Sequence, residues 1–146
     1  MSIKEAQDEI IESFAMFDDW TDKYEYLIQL GKELPVIDEQ YKTDDHLIKG
    51  CQSKVWLHAE LRDGNIYFTA DSDALITKGL VSMVVQILSG HTPEEIINAD
   101  LYFIDAIGFR SHLSPTRANG LLSMLKQMKN YGIAFHAAQN QSHGKS

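Results

Sequence analysis

The residues Val55-Trp56-Leu57-His58-Ala59-Glu60-Leu61-Arg62-Asp63-Gly64-Asn65-Ile66-Tyr67-Phe68-Thr69-Ala70 carry a strict period of two. Val55, Leu57, Ala59 and Leu61 alternate with Trp56, His58, Glu60 and Arg62, which sends successive side chains to opposite faces of a strand. Asp63-Gly64 then supplies a tight turn, because both residue types tolerate the positive φ that a two-residue connection demands. Ile66, Phe68 and Ala70 resume the alternation beyond it. The pattern predicts an antiparallel hairpin.

Outward from the hairpin the period becomes helical. Ile10, Phe14 and Phe17 predict a first helix over Ile3–Phe17. Trp20, Tyr24, Leu27, Ile28 and Gly31 predict a second, capped by Asp19 and ended by Leu34-Pro35. Val36 to Gly50 is polar and aperiodic and reads as a long loop, a class of segment that is often functional. After the hairpin, Leu80, Met83, Val84, Ile87 and Leu88 form a helical stripe closing at Gly90. Thr92-Pro93-Glu94-Glu95 opens a short helix. Leu101–Ile107 is apolar and is read as a third strand. Ser114-Pro115 opens a last helix carrying Leu121, Met124, Leu125 and Met128, which is expected to stop near Gly132. Residues 139–146 are polar and read as a frayed tail, leaving residues 1–138 as a single domain. The order implies an α+β fold, a small antiparallel sheet with helices packed on one side.

Composition narrows the partners. The 146 residues include 44% hydrophobic and 23% charged side chains, with a formal net charge of -8. An acidic chain of this kind lacks the clustered Lys and Arg that nucleic acid or an anionic membrane surface requires. No apolar run approaches the roughly 20 residues needed to span a bilayer. Met1 to Glu12 is polar and acidic, unlike a signal peptide, so a cytoplasmic location is expected. The six histidines show no paired metal-ligand spacing, and neither a metal nor a cofactor is expected.

Cys51 is the one cysteine, so any chemistry it performs involves another molecule. The segment Leu47-Ile48-Lys49-Gly50-Cys51-Gln52-Ser53-Lys54 contains no acid and puts a lysine on either side of the thiol. Nearby ammonium groups favour the thiolate, which is the nucleophile. Gly50 leaves room for another molecule to approach. The alternative is a structural thiol opening a strand beside solvated lysines. Composition and spacing leave both readings open.

Gly50-Cys51-Gln52-Ser53-Lys54-Val55-Trp56 resembles the signature around the sulfur-accepting cysteine of the SufE family. Asp71-Ser72-Asp73-Ala74 with Ile76, Lys78, Gly79 and Leu80 resembles a second block of that family. Leu113-Ser114-Pro115-Thr116-Arg117 with Gly120 and Leu121 resembles a third, although Ser114 and Thr116 exchange the two hydroxyl residues of the expected Thr-Pro-Ser-Arg. The blocks occur in order, and the resemblance spans about Ile10 to Met128. It implies a SufE/NifU-like fold and a sulfur carrier without a cofactor of its own. A pyridoxal-phosphate-dependent, SufS-like cysteine desulfurase would hand persulfide sulfur to Cys51, be stimulated in doing so, and a SufB-like iron–sulfur scaffold would receive the sulfur.

Around Cys51, the resemblance makes Lys49, Gly50, Gln52, Asp71, Asp73 and Arg117 candidates for support of the site or for the partner surface. Each has a plainer reading. Asp71 or Asp73 would cap the helix that follows, Lys78 would be solvated, and Gly79 and Gly120 would allow close backbone approach. Arg117 falls at the third helical position after Ser114, where the helix dipole disfavours a cation, so it calls for a specific partner. Leu47, Ile48 and Val55 offer apolar anchorage for the loop, and Cys51 is expected in a shallow apolar pocket near the start of the Asp73 helix. Rival functions are a thiol-dependent enzyme, a hydrolase or peroxidase with His46 or His112 near Cys51, and a binding module in which Cys51 only packs.

Overall fold

The computed structural model describes residues 1–49 and 53–144. Strands β1 (Val55–Arg62) and β2 (Asn65–Ser72) pair antiparallel, with Val55 opposite Ser72 and Arg62 opposite Asn65. Asp63 and Gly64 make the turn at φ 53° and 85°, the left-handed pair that matches the twist of the strands. The alternation buries Val55, Leu57, Ile66, Phe68 and Ala70 on one face. On the other face the Arg62 guanidinium lies over the Tyr67 ring, 4.2 Å from its centroid.

The helices are α1 (Ile3–Ala15), α2 (Trp20–Gly31), α3 (Leu75–Leu88), α4 (Pro93–Ile97), α5 (Phe103–Ile107), α6 (Phe109–His112) and α7 (Pro115–Gly144). Ser2 and Glu5 form a reciprocal cap on α1, as Thr92 and Glu95 do on α4, and Asp19 caps α2. Each such cap contributes about 1 kcal/mol. Helix α3 is the hub: it packs on β2, α2, α1 and α7, and Leu80 to Val85, Ile87 and Leu88 are buried along it. Its Gly79 meets α2 so closely that an added Cβ would lie 2.1 Å from the Leu27 carbonyl oxygen, the close approach expected of that glycine. Phe14, Phe68, Phe103 and Phe109 complete the core. Among the described residues no helix is long and apolar enough to cross a membrane.

The segment read as a loop is a strap across the outer face of the hairpin. It starts along β2, where Ala70 N–H donates to Pro35 and Ile37 N–H donates to Ala70. Two 3₁₀ turns, Glu39–Tyr41 and Asp44–His46, carry it over the sheet, with Tyr41 stacked on His58 at 3.6 Å. It ends along β1, where Leu47 bridges Trp56 and Ile48 N–H donates to the Val55 carbonyl at 2.9 Å. Helices therefore cover one side of the sheet and the strap the other.

Leu101–Ile107 is not a third strand: Phe103 to Ile107 form α5. The outward groups of β2 are already taken, Ile66 by His91 and Gly90, Phe68 N–H by the Ser89 hydroxyl, and Ala70 by the strap. With that edge closed, the run buries Phe103, Ile104 and Ile107 at helical spacing. The Gln7 side chain holds its start, donating to Asp100 O and accepting from Phe103 N. Gly132 does not stop α7. It is buried where α7 crosses α4, with Ile96, Ile97 and Pro93 about a Cβ contact away. The helix runs on to Gly144, through residues that the sequence suggests as a frayed tail. Neither Asp71 nor Asp73 caps α3, whose N-cap position is Ala74 with no side-chain cap.

Candidate functional site

Gly50, Cys51 and Gln52 lie outside the described residues, so the site is built from what surrounds them. The bond from Ile48 N–H to Val55 O closes the chain on itself, leaving only Lys49 to Lys54 between the two stems. Ile48 and Val55 are both buried, the anchorage expected of them. Lys49 and Lys54 are exposed.

Asp73 fixes the outgoing stem. Lys54 N–H donates to Asp73 Oδ1 at 3.0 Å, and Asp73 N–H donates to the Lys54 carbonyl at 3.2 Å. This places a carboxylate at the base of a loop whose own sequence contains no acid, a charge the local sequence does not reveal.

Asp71 is committed elsewhere. Its side chain is 12% exposed and receives Lys42 Nζ at 2.7 Å and Lys78 Nζ at 3.4 Å, so Lys78 is ion-paired and not simply solvated. Ser72 N–H also donates to Asp71 Oδ1 at 2.8 Å. Burial pushes the Asp71 carboxyl up, but Lys42, Ser72 and Lys78 outweigh it and hold it below its ordinary value. The Lys42 ammonium is raised in return, chiefly by its hydrogen bond to Asp71.

A cavity of about 300 Å³ opens where the start of β1 meets the first turns of α3 and α7. Its walls are the buried Val55, Leu80, Val81, Leu121 and Met124. Its rim is polar: Ser53, Thr77, Ser114, Thr116 and Arg117. Ser53 is two residues beyond Cys51 in the chain; the expectation that Cys51 itself sits in an apolar pocket falls on a residue outside those described. Gly120 also lines the cavity.

Ser114 caps α7, accepting from Arg117 N–H at 3.3 Å. The Arg117 side chain is exposed and has no ion-pair partner among the described residues. Of the two partners considered for it, the internal carboxylate is not found among the described residues. Neither histidine considered for a thiol enzyme lines the cavity. His46 contacts Thr43 and the Tyr41–His58 stack, and His112 stacks on Trp20 at 4.2 Å with Nδ1 3.0 Å from Gly108 O.

The structure thus brings Asp73, Lys54 and Arg117 to the neighbourhood of the loop, and leaves Asp71 on the outer face of the hairpin. Sequence reasoning overlooked Thr77 and Thr116 as rim residues and Lys42 as a tether. Thr77 and Thr116 lie inside or beside the second and third motif blocks; Lys42 carries no local signal.

Residues 8–132 match the family model described as SufE, an Fe-S metabolism associated domain. An uncharacterised SufE-like protein of Rhizobium meliloti is 44% identical over 127 residues, covering 84% of this chain and 91% of that protein. One from Synechocystis is 38% identical over 135 residues, covering 92% of this chain and 85% of that protein. The solution structure of a hypothetical protein from Thermus thermophilus superimposes with a TM-score of 0.73 at 17% identity, over 88% of this chain and 94% of that one, a likeness of fold. On the family match and these identities, the chain belongs to the SufE family, associated with iron–sulfur metabolism.

Proposed function

We propose that Cys51 accepts sulfur as a persulfide from a pyridoxal-phosphate-dependent cysteine desulfurase and passes it to an iron–sulfur cluster scaffold. The observation that carries this reading is the half-apolar cavity lined by Ser53 and Val55, directly downstream of Cys51. In the transfer, the Cys51 thiolate attacks the outer sulfur of the desulfurase persulfide. A new S–S bond forms on Cys51, the old one breaks, and its electron pair stays on the desulfurase sulfur as thiolate. No oxidant is consumed.

The chain contributes placement and polarity. The apolar walls exclude water and cellular thiols from the bound sulfur, which would otherwise exchange freely. Arg117, on the rim, offers a cation to the anionic form of the persulfide and to the thiolate leaving the partner. The first turn of α7 adds its dipole in the same sense. With one cysteine in the chain, no resolving thiol competes, so the sulfur leaves only to another molecule.

Incubation with a cysteine desulfurase, pyridoxal phosphate and cysteine should add about 32 Da to the intact chain, one sulfur on a reversible thiol modification. Cys51→Ser should fold normally and neither gain the mass nor stimulate the desulfurase. Full stimulation by the serine variant would end the reading.

A further inference from the structure

We propose that two copies of this chain pair through the open edge of β1, antiparallel about a two-fold axis at Leu61, so that Glu60 of each copy faces the partner's Arg62. The inference does not depend on the reading of Cys51.

The two edges of the hairpin differ. Ile66 and Ala70 bond to His91, Gly90 and the strap, and Phe68 N–H donates to the Ser89 hydroxyl. These three residues of β2 therefore turn their main-chain groups away from β1. Their opposite numbers on β1 are Leu61, Leu57 and Ala59, which must turn theirs away from β2, as the alternation of an antiparallel ladder requires. The strap covers only the start of that outer edge, where Ile48 N–H donates to Val55 and Leu47 bridges Trp56. Among the described residues no hydrogen bond reaches the outward N–H and C=O groups of Ala59 and Leu61. An edge left open in this way is a template for another strand.

Charge and the strap together select a second copy and its register. A two-fold pairing centred on Ala59, or on any earlier residue, lays the partner strand opposite Trp56, a place that Leu47 already holds. Centred on Glu60, it sets that carboxylate directly against the partner's Glu60, a like-charge pair that destabilises a sheet. Centred on Leu61, it avoids both. Leu61 N–H and C=O then bond to the partner's Leu61, and Glu60 stands opposite the partner's Arg62 on each side of the axis. Those two positions are non-hydrogen-bonded pairs, in which the Cα atoms approach to ~4.5 Å and side chains meet most closely. Glu60 and Arg62 are 49% and 61% exposed and 3.8 Å apart within the strand, so four charges of alternating sign would surround the axis. The half-buried Leu61 side chains meet on the opposite face of the sheet. The surface is self-complementary, as a two-fold interface must be.

The test uses the full chain with Glu60→Arg, Arg62→Glu and the double variant Glu60→Arg/Arg62→Glu. Sedimentation equilibrium of the parent, carried up to millimolar concentration, should show a mass rising towards twice that of the monomer. Each single variant turns both cross-axis pairs from attractive to repulsive and should weaken association about tenfold or more. Mixed in equal amounts, the two single variants should associate as tightly as the parent, because each supplies the charge that the other lacks. The double variant, which exchanges the two charges, should also match the parent. Amide exchange at Leu61 should slow with rising concentration in the parent and in the mixture, and stay constant in either single variant alone. A parent that remains monomeric would overturn the inference. So would single variants that associate like the parent, or a mixture that stays monomeric. If a single variant fails to fold, as its melting curve would show, the double variant decides: loss of association there would overturn the pairing of Glu60 with the partner's Arg62.

Discussion

Asp73 and Lys54 hold each other through two reciprocal bonds, Lys54 N–H to the Asp73 carboxylate at 3.0 Å and Asp73 N–H to the Lys54 carbonyl at 3.2 Å. The pair ties the stretch before α3 to the stem that leaves the Cys51 loop. An acid that a sequence reader would assign to helix capping is instead the outgoing clamp of the candidate site.

Asp73→Ala removes one of the two bonds and leaves the other. The expected stability loss is about 1 kcal/mol, the net worth of an exposed bond to a charged acceptor. Alkylation of Cys51 should rise at the same time, and Asp73→Asn, which keeps an oxygen acceptor, should be milder in both. A melting curve paired with an iodoacetamide time course measures this. Unchanged alkylation in Asp73→Ala would show that the clamp does not govern the thiol.

Arg117→Ala separates stability from transfer. The guanidinium is exposed and lacks an ion-pair partner among the described residues, and the cap uses only the backbone N–H of Arg117. Removing a cation from the first turn of α7 should leave stability within about 0.5 kcal/mol. Sulfur transfer should fall about tenfold, with Arg117→Lys intermediate because lysine lacks the planar fork. A variant that melts early yet transfers at the parental rate would reverse the assignment.

Gly79→Ala tests the hub of the core. A methyl group there would sit 2.1 Å from the Leu27 carbonyl oxygen and 2.6 Å from its carbon, backbone atoms that cannot turn aside. Overpacking of this kind costs about 1–3 kcal/mol, more than the roughly 1 kcal/mol that alanine gains over glycine in a helix. The melting temperature should fall by about 5 °C, since 1 kcal/mol shifts a domain of this size by roughly 2–4 °C. An equal or higher value would mean that α2 and α3 part without strain.

The hairpin was legible because its cause is local: period two on each side of Asp-Gly. The caps at Asp19, Thr92 and Ser114 were legible for the same reason, and all three hold their helices. Leu101–Ile107 misled because a short apolar run suits strand or helix, and the decision lay with Pro35, Ser89 and His91, which close the edge of β2. Gly132 misled because a glycine that ends a helix and one that lets α4 approach look alike in sequence. Cys51 was singled out by its motif and its lysine neighbours, and Arg117 by its unfavourable place at a helix start. Lys42 was invisible: a lysine in a polar loop acquires meaning only when the chain returns to bring Asp71 beneath it.

Asp71 gives the acid limb of the stability curve a specific cause. Its carboxyl is pushed up by burial but held below the ordinary 3.8 by Lys42, Ser72 and Lys78. The folded protein therefore binds fewer protons than the unfolded chain at this site as pH falls through the ordinary value. The stabilisation is fully present above about pH 5 and is lost as pH drops through the folded value. Asp71→Asn should be less stable than the parent by about 2 kcal/mol at neutral pH, the scale of hydrogen bonds to a charged group. That difference should shrink steadily below about pH 4. Glu5, Asp8 and Glu95 are also held below their ordinary values, so the parent and the variant both retain an acid slope, and the difference between them is the readout. Urea titrations of both proteins from pH 7 to about pH 3 supply it. A difference that stays constant across that range would mean that the Asp71 carboxylate is not what Lys42 and Lys78 stabilise.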